Sequence, residues 1–398
     1  MMTRLILFLS LFLIVDSIHA QPPASKEKMQ QLIKENFVLA DTQYRLMMSL
    51  IPEGRLPQSY DEKKGKLTSN ELTWWCTGFY PGALWYIYEQ TNDTVIKKEA
   101  ERSLQVIESN QTYTGNHDLG FMMYCSFGNA YRLTQNEKYK NIIFRSAQSL
   151  ITRYRPSAKI IQSWDANGIF KCPVIIDNMM NLEMLNWASD NGGNATFKKI
   201  AITHANTTLK NHFRSDYSSY HVVDYNLETG TVNRKATQQG AADCSAWARG
   251  QAWGLYGFTM MYRFIKNKVY LNQARNIAKF ILNHPNLPKD KVPYWDFDAP
   301  FIPKAKRDAS AATIIASALL ELGQYTKGTE KVEFIAAAET ILNSLSNDTY
   351  RAKAGENGGF LLKHSTGALP LNSEIDVPLI YADYYFLEAL KRYKDWYL

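Results

Sequence analysis

The chain has 398 residues, 45% of them hydrophobic and 21% charged, enough to bury a large core as one big domain or two ordinary ones. Its formal net charge of +7 is scattered through short mixed groups such as Lys304-Ala305-Lys306-Arg307. With no long basic run and no nucleic-acid motif, that charge excludes a nucleic-acid footprint and leaves a mild bias towards an acidic ligand.

The first twenty residues read as a secretory signal. Arg4 is the charged start, Leu5 to Val15 the apolar stretch, and cleavage after Ala20 leaves residues 21–398 as a single domain. The apolar stretch is too short to span a membrane, and no later one is long enough. No Cys follows to carry a lipid anchor. The expectation is an exported protein, periplasmic or secreted, a monomer or weak dimer. Cys76, Cys125, Cys172 and Cys244 are far apart and lack the paired spacing of a zinc site. They are buried free thiols or, in an exported chain, disulfides.

Helical periodicity dominates the rest of the chain. Phe334, Ala337, Ala338, Ile341, Leu342 and Leu345 fall on one helix face, and the same test gives helices over 26–50, 73–90, 94–109, 118–134, 137–154 and 175–190. Six more lie over 194–212, 244–266, 268–284, 308–324, 329–346 and 376–395. Strand signals are few. Tyr220 to Tyr225, a turn over Asn226 to Gly230, and Thr231-Val232 read as a hairpin, and Gly359 to Leu362 as a short strand.

Twelve helices make six hairpins, which either stack into an open superhelix or close into a ring. The unusual residues fall at the starts of the even-numbered helices: Trp74-Trp75, His117-Asp118, Asp177, then Trp247 with Arg249 and Trp253, then Arg307-Asp308, and Asp376. The tenth helix, Asp308 to Leu320, has almost no polar face, as a helix buried on all sides requires. The third, Val95 to Arg102, is amphipathic. Even helices inside and odd helices outside is the pattern of an all-α (α/α)6 barrel, with one β-hairpin inserted. Its six inner N-termini would gather around one pocket.

The chemistry centres on Asp118 and Asp177, which open inner helices two apart. Asp177 sits between Val174-Ile175-Ile176 and Met179-Met180, where an ionised carboxylate is costly. One reading is a pair of helix caps. The other is a pair of carboxyls whose proximity keeps one protonated, as glycoside chemistry uses. Trp74, Trp75, Trp164, Trp247, Trp253 and Trp295 lie near the expected mouth; flat rings suit sugar faces, and half are expected to be plain core. Arg249 either grips a carboxylate ligand or forms an ion pair with an inner-helix Asp. No nucleophile elbow, phosphate loop or metal-ligand spacing occurs, so no metal or cofactor is expected.

At these residues the chain resembles the unsaturated glucuronyl hydrolases, glycoside hydrolase family 88. The resemblance is carried by Asn116 to Phe121, Ile176 to Asn181, Tyr220 to Tyr225, Gln239-Gly240, Ser245 to Gly254 and Ile380 to Leu390. It implies an (α/α)6 barrel and release of 4,5-unsaturated uronic acid from the non-reducing end of lyase-made oligosaccharides, glycosaminoglycan fragments above all. It implies hydration of the vinyl ether by Asp177, with Asp118 tuning it and no cofactor. His117, Trp164, His221, Gln239, Trp247, Arg249 and Trp253 are implied as substrate-binding. Two alternatives stand beside it: an unsaturated rhamnogalacturonyl hydrolase acting on pectin fragments, and a non-catalytic surface protein that binds oligosaccharides.

Overall fold

A computed structural model describes residues 25–398. The leader expected over residues 1–20, with its cleavage site, lies outside the described residues. The helices are α1 (Lys26–Leu50), α2 (Phe79–Thr91), α3 (Thr94–Ile107), α4 (Asn129–Thr134), α5 (Glu137–Ile151) and α6 (Asn178–Asp190). They continue with α7 (Thr196–Asn211), α8 (Ala248–Ile265), α9 (Lys268–Asn283), α10 (Ala309–Tyr325), α11 (Gly328–Leu345) and α12 (Ile380–Tyr397). Every expected helix is present. The fourth differs in kind: a π-helix over Gly120–Gly128 runs into α4.

The even helices close a ring. α2 packs on the π-helix, the π-helix on α6, α6 on α8, α8 on α10, α10 on α12, and α12 back on α2. The last contact joins the two ends of the chain and makes the fold an (α/α)6 barrel instead of an open superhelix. The odd helices pack outside: α3 on α2, α7 on α6, α9 on α8 and α11 on α10. Sequence explains the layering. α10 is buried from Ala309 through Gly323, each buried Leu or Ile contributing about 2 kcal/mol. α3 buries only one stripe, including Ile96, Ala100, Leu104 and Ile107, and Asp93 caps it by accepting from Val95 and Ile96 N–H.

Two inner contacts are close enough to demand glycine. A Cβ on Gly120 would stand 2.5 Å from Asn181 Cα and 2.6 Å from Asn181 Oδ1, and one on Gly257 would strike Met179 Cβ. These let the π-helix and α8 press against α6.

Two short strand pairs come first, β1 (Ser59–Asp61) with β2 (Lys66–Thr68) and β3 (Tyr154–Arg155) with β4 (Ile160–Ile161). The expected hairpin forms, with a partner. β6 (Val222–Tyr225) pairs with β7 (Val232–Ala236) on one side and β5 (Pro173–Ile175) on the other, so β5 delivers the chain to the start of α6. Three expectations are corrected. Trp74 and Trp75 do not begin the second helix; they lie in successive four-residue turns, closed by Trp74 N–H to Glu71 O and Thr77 N–H to Trp74 O, before α2 starts at Phe79. Residues 359–362 form no strand, because Gly358 and Gly359 hold φ of 60° and 87°; the strand pair falls later, β8 (Ser365–Ala368) with β9 (Ser373–Val377). Asp376 does not begin the twelfth helix but lies in β9, paired with His364 and Lys306. The four cysteines are free; Cys76 and Cys172 are buried, Cys125 is half-buried and Cys244 is exposed.

At the C-terminal ends of the inner helices a cavity of about 660 Å³ holds a partly buried ionic network. Arg263 bridges Glu183 and Glu321, and Arg392 contacts Glu321 and Glu388.

Candidate active site

The other end of the barrel, where the inner helices begin, holds a pocket of about 280 Å³. His117, Asp118, Trp164, Asp177, Gln239 and Arg249 line it, with Trp74, Trp75, Glu374 and Tyr381. Backbone ties aim the two aspartates. His117 N–H donates to Ser163 O at 3.0 Å, and Asp118 N–H to Asn116 Oδ1 at 2.9 Å, fixing the turn before the π-helix. Ile176 N–H donates to His221 O at 3.1 Å, so the residue that leads into β6 holds the one just before Asp177.

Asp177 occupies the N-cap position of α6, yet its side chain caps nothing. Asp308, at the same position of α10, accepts from Ser310 N–H. Asp177 Oδ2 is buried without a hydrogen-bond partner, and His221 Nε2 stands 3.8 Å away. His221 Nδ1 accepts from the N–H groups of Gln238 and Gln239 at 3.0 and 3.3 Å. A nitrogen that accepts twice carries no proton, so the ring hydrogen is on Nε2, directed at Asp177.

The electrostatics follow from burial. Burial pushes Asp177 up to about 7, against the Arg249 charge and the Trp253 indole N–H, which pull it down. Burial and the Asp177 charge push Asp118 up to about 8, against Arg153. The pair therefore keeps a proton at neutral pH. Burial also drops His117 and His221 to about 3, so both rings are neutral. His117 Nε2 lies 3.2 Å from Asp118 Oδ1 and its Nδ1 lies 3.4 Å from Ser163 Oγ. The site thus offers an acid of near-neutral pKa, a second carboxyl, and neutral donors around them.

Arg249 forms the ion pair. Nη1 donates to Asp308 at 2.9 Å and Thr366 O at 2.7 Å; Nη2 donates to Gln239 Oε1 at 2.9 Å and to Gly367 O. The tryptophans divide. Trp74, Trp75 and Trp164 line the pocket, whereas Trp247, Trp253 and Trp295 are buried. Trp247 packs on His221 at 4.7 Å between ring centres, and Trp253 on Phe121 at 5.1 Å and Tyr385 at 5.4 Å. Phe121 and Tyr385 also line the larger cavity at the opposite end of the barrel.

Sequence reasoning passed over Ser163, Asn181, Glu374 and Tyr381. Asn181 is fully buried and takes the Phe121 N–H at 3.1 Å. Its signal was present, one turn after Asp177 in an apolar run. Glu374 gave none, because its place depends on a hairpin with no strand pattern. Among the described residues, no group of three or more His, Cys, Asp or Glu is arranged to hold a metal ion. No helix there is long and apolar enough to cross a membrane.

No family model matches the chain. It is 45% identical over 378 residues to an unsaturated glucuronyl hydrolase of Formosa agariphila, covering 94% of this chain and 90% of that one. The chain belongs to the unsaturated glucuronyl hydrolase family. It is 32% identical to an unsaturated chondroitin disaccharide hydrolase of Streptococcus pyogenes serotype M1, over 92% of each chain. A crystal structure of an unsaturated glucuronyl hydrolase specific for heparin superposes with a TM-score of 0.88 at 47% identity, covering 92% of this chain and 98% of that one. The protein is therefore a glycoside hydrolase.

Proposed function

We propose that the enzyme releases 4,5-unsaturated uronic acid from the non-reducing end of glycosaminoglycan fragments made by lyases, by hydrating the vinyl ether. The observation that supports it is Asp177: a carboxyl of raised pKa, uncapped, with one oxygen buried towards neutral donors and the residue open to the pocket. Asp177 protonates C4 of the double bond, leaving positive charge shared between C5 and the ring oxygen. As a carboxylate it then takes a proton from water as that water adds to C5. The hemiketal opens by breaking the bond from C5 to the ring oxygen, and the hemiacetal left at C1 expels the aglycone alcohol. Asp177 gives one proton to C4 and regains one from water, so water is the sole reagent consumed. The His221 Nε2–H and Trp253 N–H on the buried side stabilise the carboxylate between the two transfers. Asp118 titrates with Asp177 as a pair, and by sharing the pair's proton it tunes Asp177.

The test tracks the ultraviolet absorbance of the conjugated unsaturated uronate on lyase-made disaccharides of hyaluronan, chondroitin, heparan and pectin. Loss of absorbance on the glycosaminoglycan members is expected, and no loss on any would sink the reading. Asp177→Asn is expected to lower kcat at least about a thousandfold, since both proton transfers pass through it. A variant that kept full activity would overturn the mechanism.

A further inference from the structure

The pocket contains a third carboxylate that the hydration chemistry does not use. Glu374 lies on its wall beside Trp74 and Leu371, both exposed at the rim, while Asp177 lies at the buried end. The chain goes to some length to hold it there. Glu374 has a φ of 54°, in the left-handed region that a residue with a Cβ enters at a cost. Its side chain folds over Gly367, where a Cβ would collide with Oε2. Gln58 Nε2, from a segment more than three hundred residues earlier in the chain, donates to Oε1. Burial raises its pKa, while the Gln58 amide and the Arg249 charge pull it back towards the ionised form.

The charge around it is lopsided. Of the described residues lining the pocket, Arg249 is the sole Lys or Arg, and both of its Nη atoms are committed to protein oxygens. One substrate carboxylate can be met by neutral donors and helix N-termini. A second anion on the neighbouring sugar would face Glu374 with no uncommitted Lys or Arg among the described residues lining the pocket, and like charges brought together in a shielded site repel strongly.

Resting on the hydrolase reading, we infer that Glu374 sets specificity at the second sugar. It admits a residue bearing hydroxyl, amide or amine groups, for which a carboxylate is an acceptor, and rejects one bearing a sulfate. Specificity of this kind rests on a repulsive element.

The test compares two lyase-made disaccharides that differ only by one sulfate on the hexosamine. The native enzyme is expected to favour the unsulfated one in kcat/KM by about tenfold or more. Glu374→Gln is expected to shrink that ratio at least about fivefold, chiefly by raising turnover of the sulfated sugar. Glu374→Ala gives a second reading if the first variant does not fold, with thermal melting reporting the folded state. Equal turnover of the two sugars by the native enzyme overturns the inference, as does an unchanged ratio in a folded variant. If the native enzyme turns over neither sugar, the hydrolase reading fails and takes the inference with it; activity with the wrong ratio removes only the role of Glu374.

Discussion

Asp177 and Asp308 stand at the same position of two inner helices, and only Asp308 is a cap. The sequence shows an aspartate at each helix start and an apolar setting around Asp177, which made the acid legible. It does not show which aspartate caps its helix, because the tertiary partners that hold each side chain in place, His221 beside Asp177 and Arg249 on Asp308, are tens of residues away. Arg249 was open between ligand and ion pair for the same reason. The raised pKa of Asp177 carries a cost in stability. An Asp that titrates near 4 unfolded and at about 7 folded helps folding fully only below pH 4, and that help is lost as pH rises through 7. Asn cannot ionise. Asp177→Asn is therefore expected to be more stable than the native enzyme at pH 8, by about 1–3 kcal/mol, with the gain vanishing near pH 4. Urea denaturation at the two pH values measures it, and a variant less stable at pH 8 would count against the buried-acid account.

At the scale of elements, helix identity was readable and helix starts were not. Periodicity found every helix, since each buries a stripe or a whole surface. It placed Trp74-Trp75 and Asp376 at helix starts because nothing local distinguishes a turn or a left-handed strand residue from a first helical turn. The π-helix after Asp118 was equally hidden; its register depends on α6, through Asn181 and the bare Cα of Gly120. This contact lies two residues from Asp118 and one turn from Asp177, so it sets how the two carboxyls face each other. Gly120→Ala is expected to cost about 1–3 kcal/mol, as overpacking does. It is also expected to lower kcat by about tenfold or more through misplacement of Asp118. Denaturation and steady-state rates on one preparation read both, and an unperturbed Gly120→Ala enzyme would show that the contact is slack.

For the whole molecule, the inner and outer layers were legible and closure was not. An apolar α10 and an amphipathic α3 announce their layers, but a ring and a superhelix share that pattern. What decides is α12 against α2, a contact between chain ends. The last helix should then behave as a keystone. It buries Tyr381, Tyr385, Phe386, Leu387 and Leu390 against α10 and α2. A chain ending before Ile380 is expected to lose cooperative unfolding, because both neighbours would expose apolar faces at once. Circular dichroism melting would show this, and a sharp transition in the shortened chain would argue for a barrel that tolerates a gap.

Asp177 is almost wholly buried in the pocket, while Trp74 and Leu371 stand exposed on its wall. The inner helices around it pack into a continuous apolar core, so the site is a hole let into solid protein. A polymer has a middle and two ends, and the proposed function lowers an end into that hole. On that reading the freed sugar backs out through the doorway by which the chain came in, and every cut is a separate visit: dock, cleave, withdraw, dock again. An enzyme acting so would nibble a solution of short fragments without travelling along a strand, and its leaving product would compete with the next arrival for the same door.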